Sequence, residues 1–406
     1  MMPEISLTGV LIVAAVAFLV PLGLGLVPSV RVPAVVCEIL AGVLIGPAVL
    51  GLVEVDLPLR VLALIGLAFL LFLSGLEVDI ERLRGTRLRS AAIGFVVSMA
   101  VALGVAFGLQ AAGLIQAPLL VAIILSATSL GIVIPVLADA GQSGTALGQL
   151  IIAACSIADF GAIILLSLFF SEDSTSVGAT LLLISGFVVL AIAIAVALAE
   201  AERWGRLTSA LGRLQDTSSQ IRVRGALLLL LGFAVLAQLF GLEVILGAFI
   251  AGAALRLLDR DRTMTHPRFH QKLEAVGFGV FIPFFFITSG VQLDLGALLS
   301  GGAASFAPVP VFLLALMLAR GLPAILYRPV VGTRGSIAAA LLQATSLPFI
   351  VAATAIGMEL GMLSPATGAA LVVAGLLSVL LFPLSALTLL RKGEKRTPTA
   401  ETEATK

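Results

Sequence analysis

The chain alternates between long apolar runs and short polar segments that carry most of its charged residues. A helix needs about 20 largely apolar residues to cross about 30 Å of hydrocarbon. On that basis the sequence predicts thirteen membrane-spanning helices, numbered here as spans 1 to 13. They cover approximately residues 6–29, 33–52, 60–77, 88–113, 118–138, 146–170, 177–200, 222–240, 243–257, 272–294, 307–327, 333–359 and 366–391. Because lipid offers backbone groups no partner and a barrel's period-2 alternation is missing, we expect an all-α polytopic membrane protein.

Composition and charge agree with this fold class, since 60% of the 406 residues are hydrophobic and 12% are charged. A soluble domain has about 25% charged residues, so secreted, nuclear and cytosolic proteins are excluded. An external N-terminus places nearly all lysines and arginines on the cytoplasmic side, whereas Arg60 lies outside and Arg320 lies within a span. The positive-inside rule therefore predicts that the N-terminus lies outside and the C-terminus in the cytoplasm. The compact loops favour the inner (plasma) membrane of a bacterium.

Three pairs of segments resemble each other in the same order along the chain. They are residues 38–46 and 243–251, 74–79 and 289–294, and 127–130 and 344–347. Each pair is separated by an odd number of spans, so the second copy is inverted in the membrane. The sequence therefore predicts a membrane domain over residues 1–391, built from two inverted six-helix repeats, as in secondary transporters. The repeats cover about 6–170 and 222–391, with a connector at about 177–221 and a disordered cytoplasmic tail at 392–406.

Small polar residues and prolines interrupt spans 5 and 12 at corresponding places of the two repeats. Proline removes a backbone donor and disrupts the preceding helical turn, so both helices are predicted to break there. The residues assigned to the breaks are Ser126, Pro135, Thr345, Ser346 and Pro348. Freed carbonyls and half-helix ends would then face a cavity where ions bind. The alternative interpretation is that these small residues only let the helices pack closely.

Two opposite charges lie deep in the predicted membrane region. An ionisable residue at mid-span costs about 2.5–3.5 kcal/mol on insertion scales, so each one needs a reason. Asp159 lies midway along span 6, and Ser156 precedes it by three residues on the same helical face. With Thr128 and Ser129 of span 5, these residues form the predicted ion- and proton-binding site. Arg320 in span 11 is either a fixed counter-charge or a structural brace.

Enzyme classes are excluded by what the spans lack. Intramembrane aspartyl proteolysis needs two aspartates, and a serine–histidine mechanism needs an intramembrane histidine, whereas His266 and His270 lie on a basic loop. No Gly-rich nucleotide motif opens a helix after a strand. We therefore expect no enzyme activity, no cofactor, no bound metal beyond a transported cation, and no nucleic-acid partner.

Residues 38–47, 72–79, 126–135, 158–159 and 283–294 resemble the membrane domain of the monovalent cation:proton antiporter 2 family, which includes Kef-type potassium efflux proteins and sodium/proton antiporters. The resemblance extends over nearly all of the predicted membrane domain. It implies a homodimer of thirteen-helix protomers with two crossed, broken helices at spans 5 and 12. It also implies that Asp159 is the ion-binding carboxylate and Arg320 its basic partner.

The chain departs from this family at two places. Ala158 stands where electrogenic members carry a second acid, and residues 345–349 replace an Arg-Gly-Glu-like stretch. One carboxylate can hold a proton or a cation but not both, and arginine does not release a proton. The sequence therefore predicts electroneutral, alternating-access exchange of sodium or potassium for a proton, with membrane lipid and small inorganic cations as partners. The alternatives are an organic-solute transporter of the same architecture and a non-transporting membrane sensor.

Overall fold

The computed structural model describes residues 7–26, 32–77, 86–170, 177–202, 217, 220–258, 267–293 and 306–394. Within these ranges the chain is helical apart from short connections, and no strand occurs. Residues 203–216 and 218–219 of the predicted connector, and the predicted tail from residue 395, lie outside the described residues. The last helix continues to Glu394, slightly beyond the predicted end of the membrane domain.

The helices follow one another in chain order. They are α1 (Thr8–Leu26), α2 (Ala34–Ile45), α3 (Leu57–Glu77), α4 (Thr86–Ala111), α5 (Pro118–Ser126), α6 (Leu130–Asp139), α7 (Ala146–Phe170), α8 (Val177–Glu202), α9 (Ile221–Leu239), α10 (Val244–Leu258), α11 (Pro267–Val276), α12 (Ile282–Val291), α13 (Pro308–Leu316), α14 (Arg328–Gln343), α15 (Pro348–Glu359) and α16 (Pro365–Glu394). A π-helical turn, Gly277–Phe281, joins α11 to α12. A second π-helical turn, Met317–Gly321, and a 3-10 helix, Leu322–Tyr327, join α13 to α14.

The described helices account for the thirteen predicted spans. Nine helical segments are long and apolar enough to cross a membrane, and three shorter apolar helices add spans 2, 7 and 9. One of the nine, Pro308–Glu359, contains both span 11 and span 12. The helical course is interrupted inside it at Gly332, whose φ of 70° lies in the left-handed region that favours glycine.

The chain forms two compact units, and the first consists of residues 1–80 and 163–295. In it α2 crosses α12 at a pair of glycines, Gly42 and Gly290. A methyl group on Gly42 would overlap the carbonyl oxygen of Ile287, and one on Gly290 would overlap that of Ile39. The two backbones are therefore in direct contact, as in small-residue crossings of membrane helices.

The crossing of α3 with α10 in the same unit is built in the same way. A methyl group on Gly75 would overlap the carbonyl oxygen of Phe249, and one on Gly252 would overlap that of Phe72. The inverted repeat relates span 2 to span 9 and span 3 to span 10, so the α2–α12 and α3–α10 crossings are equivalent. The internal packing of this unit thus follows the repeat that the sequence indicates.

The second unit consists of residues 81–162 and 296–406 and contains both broken helices. Span 5 is divided into α5 and α6, and span 12 is divided between Gln343 and Pro348. Both breaks lie where the sequence predicts them. Pro135 differs from its expected place, because it lies inside α6. A proline within a helix removes one amide, here the one that would bond to Gly131, and the helix can continue with a kink.

Candidate functional site

The first break frees backbone amides from the helical hydrogen-bond pattern. Ala127 (φ −77°, ψ 164°) and Ser129 (φ −132°, ψ 94°) are extended, so the helical hydrogen bonds stop between α5 and α6. The first amides of α6 have no partner within their helix, and the positive end of the helix dipole lies there. The Leu130 amide donates to Oδ2 of Asp159 over 3.3 Å. The break therefore holds the carboxylate at the N-terminus of α6.

The other carboxylate oxygen of Asp159 is available to a ligand. Oδ1 is buried and has no hydrogen-bond partner among the residues that the structure describes, although the residue as a whole is partly exposed. The amide of Thr128 also faces this carboxylate. A carboxylate that is fixed through one oxygen and open at the other can bind either a proton or a small cation.

Thr128 connects the two breaks and α7. Its Oγ1 donates to the carbonyl oxygen of Gln343 over 2.8 Å and lies 3.2 Å from that of Thr345. The same oxygen lies 3.8 Å from Sγ of Cys155, which is one turn before Asp159 on α7. Thr128 is thus both next to the carboxylate and at the contact between the two broken helices.

The second break has its own polar partner on α16. The amide of Ser346 donates to Oγ of Ser378 over 3.1 Å, and that hydroxyl lies 2.7 Å from the carbonyl oxygen of Gly375. Pro348, which has no amide, begins α15. The hydroxyl of Thr345 donates to Leu341 of its own helix over 3.1 Å. Ser378 therefore supplies a hydrogen bond that the interrupted helix lacks.

The remaining predicted serines are buried close to the first break. Ser156 donates to the carbonyl oxygen of Ile152, and Ser126 donates to that of Ile123, each over 2.9 Å. Ser129 makes no side-chain capping bond to α6. The structure thus brings Thr128, Ser129 and Asp159 together at the break, while the Ser156 hydroxyl bonds to its own helix.

Arg320 lies on the π-helical turn Met317–Gly321 and is 1% exposed. Its Nη1 donates to Oγ of Ser98 on α4 over 3.3 Å. Its charge interacts with that of Asp159, yet within the described parts of the chain no carboxylate oxygen lies within 4.0 Å of its guanidinium. The counter-charge assigned from the sequence is therefore close to the carboxylate without a direct ion pair. Such π turns inside membrane or soluble helices often mark functional sites.

Sequence reasoning missed Ser98 and Ser378. Both are fully buried, and both bond to backbone groups outside their own helix. The sequence does indicate that the Ala319 carbonyl needs another donor, because Pro323, four residues later, has no amide. It does not indicate that Ser98 is that donor. Nothing comparable distinguishes Ser378 from the other serines of apolar helices.

The histidines do not form a metal site in the described part of the chain. His270 pairs with Glu274 over 3.1 Å on α11, and His266 lies outside the described residues. No group of three or more His, Cys, Asp or Glu side chains suited to a metal occurs among the residues with described positions.

Comparisons with known proteins agree with this architecture. The model of the transmembrane sodium/hydrogen exchanger family matches residues 14–392. The Bacillus subtilis (strain 168) protein named "Putative Na(+)/H(+) antiporter YjbQ" is 30% identical over 415 residues, which cover 97% of this chain and 65% of the relative. The chain thus spans slightly less than two thirds of that relative. The Na(+)/H(+)-K(+) antiporter GerN of Bacillus cereus is 29% identical over 274 residues, with 65% of this chain and 67% of the relative covered.

A solved structure shows the same fold. The sodium proton antiporter MjNhaP1 from Methanocaldococcus jannaschii at pH 8 superimposes with a TM-score of 0.69 over 95% of this chain and 98% of its own. The sequences are 19% identical, so this likeness concerns the fold alone. It agrees with the predicted all-helical inverted-repeat architecture.

Proposed function

Because this chain belongs to the sodium/hydrogen exchanger family, we propose that it is a secondary antiporter that exchanges a monovalent cation, sodium or potassium, for a proton. The observation that carries the proposal is the placement of Asp159. One carboxylate oxygen is held by the Leu130 amide, and the other is buried at the helix break without a partner in the described residues. That arrangement suits a ligand that is exchanged rather than retained.

The proposed mechanism is alternating access at this single carboxylate. An ionised, unneutralised carboxylate is costly to move through a low-dielectric region, whereas a protonated or cation-bound one is not. The site therefore changes the side it faces only when Asp159 carries a proton or a cation. Thr128, Ser129 and Ser156 are the proposed neighbouring ligands, and Arg320 is the proposed fixed counter-charge.

Sodium and potassium are both compatible with the proposed ligands, which are carboxylate, hydroxyl and carbonyl oxygens suited to hard cations. The name of the Bacillus cereus relative includes both ions. Assignment to the Kef-type branch stays a prediction, because the matching family model is that of sodium/hydrogen exchangers. A ranking of ions in a transport assay decides between the two cations.

We also propose that the exchange is electroneutral. Ala158, next to the carboxylate, is fully buried and cannot ionise. One negative charge is then neutralised by one proton or by one cation, so a full cycle moves no net charge. In liposomes, the cation and proton gradients at which net flux stops are expected to stay the same when a membrane voltage is imposed. A balance point that shifts with the voltage would contradict electroneutral exchange.

The proposed setting is the inner membrane, with the N-terminus outside, the C-terminus in the cytoplasm, and two copies forming a homodimer. Large apolar side chains are exposed along α1 and α8, among them Phe18, Leu182 and Val189. Lipid or a second copy of the chain would cover such surfaces. No enzymatic step or resident cofactor enters the proposed cycle.

The test is proton flux in proteoliposomes that hold a pH gradient and an entrapped pH dye. Sodium, potassium, lithium and choline are added in turn to wild type, to Asp159→Asn, and to Glu359→Gln. Glu359 is an exposed carboxylate at the end of α15 and is the matched control. Cation-triggered dissipation that is lost in Asp159→Asn but kept in Glu359→Gln is expected.

The other outcomes separate the alternatives. No dissipation with any cation, in protein that is folded and reconstituted, would favour the organic-solute transporter or the membrane sensor. Dissipation that survives Asp159→Asn would show that another residue carries the ion.

A further inference from the structure

The helix that carries Arg320 leaves one backbone carbonyl in need of a donor. Pro323 follows Ala319 by four residues and has no amide, so the usual helical bond to Ala319 is impossible. Ser98 of α4 replaces it, because its Oγ donates to the Ala319 carbonyl oxygen over 2.7 Å. Ser98 is fully buried, and the bond joins two helices that are distant in sequence.

The same hydroxyl also fixes the guanidinium. A serine hydroxyl has one hydrogen to donate and lone pairs to accept with. Because its hydrogen is directed to Ala319, its lone pairs remain for Arg320, whose Nη1 donates to it over 3.3 Å. Nε and Nη2 of Arg320 have no hydrogen-bond partner in the described residues. Among these residues, Ser98 is therefore the hydrogen-bond partner that holds the side chain.

A second close contact of α4, at Gly94, helps to hold Ser98 next to Arg320. Gly94 lies one helical turn earlier, and a methyl group there would come within 2.9 Å of Oη of Tyr327. Tyr327 ends the 3-10 helix that follows the π turn. Two contacts, one at Gly94 and one at Ser98, thus hold α4 against the segment that carries Arg320.

The position of Arg320 matters because of the ligand that Asp159 is proposed to bind. Arginine and carboxylate readily form a bidentate pair, which would occupy both carboxylate oxygens. In the structure the two charges interact, but the described residues show no such pair within 4.0 Å. Resting on the proposed function, we propose that Ser98 is a positioning residue that holds Arg320 back from Asp159 and so keeps a carboxylate oxygen free for the transported cation.

Removal of the Ser98 hydroxyl would release Arg320 toward Asp159, where it would compete with the cation. The experiment is isothermal titration of purified protein with sodium chloride, against choline chloride as a blank. Ser98→Ala is expected to raise the sodium Kd about tenfold, in keeping with the loss of a hydrogen bond to a charged group. Ser98→Cys, of similar size but a weaker donor and acceptor, is expected to give an intermediate Kd.

The matched control is Ser336→Ala. Ser336 is a buried serine in the same unit whose hydroxyl bonds to Gly332 of its own helical segment over 3.0 Å. Its loss is expected to leave the sodium Kd unchanged. If Ser98→Ala also left the Kd unchanged, or if Ser336→Ala raised it equally, the proposal would be overturned.

A second arm tests whether Ser98 acts through Arg320. In an Arg320→Gln background, Ser98→Ala is expected to leave the sodium Kd where Arg320→Gln alone places it. A tenfold rise that persists without the arginine would overturn the positioning role. Failure of the proposed exchange is detected separately, as the lack of cation-triggered proton flux in wild type, and titration does not depend on turnover.

Discussion

Thr128 donates its hydroxyl hydrogen to the carbonyl oxygen of Gln343 over 2.8 Å, and this bond joins the first broken helix to the second. Gln343 ends α14, so its own carbonyl lacks the amide that a continuing helix would supply. The first break thus supplies a hydrogen-bond donor to the helix end at the second break. The first break and its counterpart in the second repeat are therefore joined by a direct hydrogen bond.

Thr128→Val removes this link while keeping the side-chain volume. Loss of one buried hydrogen bond, with a carbonyl left unsatisfied, is expected to cost about 0.5–2 kcal/mol and to lower both the Tm and the exchange rate. Thr345→Val is the matched control, since that hydroxyl bonds to Leu341 of its own helix. Thermal unfolding in detergent and liposome flux are the measurements. Equal effects of the two variants would contradict a link between the breaks.

Ser378→Ala is expected to loosen the second break. It removes the acceptor of the Ser346 amide, which lies between the half-helices, and should destabilise the protein by about 1 kcal/mol. Ser385→Ala lies on the same helix, and its exposed hydroxyl bonds to Leu381 of that helix. The Tm should fall for Ser378→Ala and stay within error for Ser385→Ala. An unchanged Tm in both variants would mean that the break needs no cap from α16.

The breaks themselves could be predicted from the sequence, whereas their partners could not. The same four residues, Ala-Thr-Ser-Leu, occur at 127–130 and 344–347, and Pro348 follows the second copy. The interruption of each helix therefore depends on residues at the break itself. Ser98 and Ser378 act on backbone groups of other helices. Which buried serine meets which open carbonyl is decided by helix packing, and one sequence does not encode that pairing locally.

The thirteen spans could likewise be predicted, because lipid forces each apolar run to satisfy its own backbone. The grouping into two units, each made of two separate stretches of chain, depends on contacts between distant segments. Glycine pairs make the close contacts at the α2–α12 and α3–α10 crossings. The sequence shows each glycine within an apolar run but does not show which helix it contacts. Arg320 likewise bonds to Ser98 of α4, and a contact between helices so distant in sequence could not be predicted.

Gly290→Ala tests the contact between α2 and α12. A methyl group there would overlap the Ile39 carbonyl, a backbone atom that cannot rotate away, so the helices must separate. Overpacking of this kind costs about 1–3 kcal/mol, and a clearly lowered Tm is expected. Gly108→Ala, where nothing lies within 4 Å of the new methyl, should be neutral or slightly stabilising. A Tm of Gly290→Ala that matches wild type would show that the crossing can relax.

Competition between protons and the cation is the expected signature of a single carboxylate at Asp159. Lowering the pH converts more of the carboxyl group to its neutral form, which cannot bind a cation, so the apparent KM for sodium should rise as the pH falls. Where the Asp159 carboxyl group is mostly protonated, each unit of pH should change this KM about tenfold. Saturating sodium should restore the maximal rate. Initial rates of proton flux across a series of sodium concentrations and pH values provide the measurement, with Glu359→Gln as the variant that should keep the same dependence. A maximal rate that falls with pH at every sodium concentration, with KM constant, would show that proton and cation occupy separate sites.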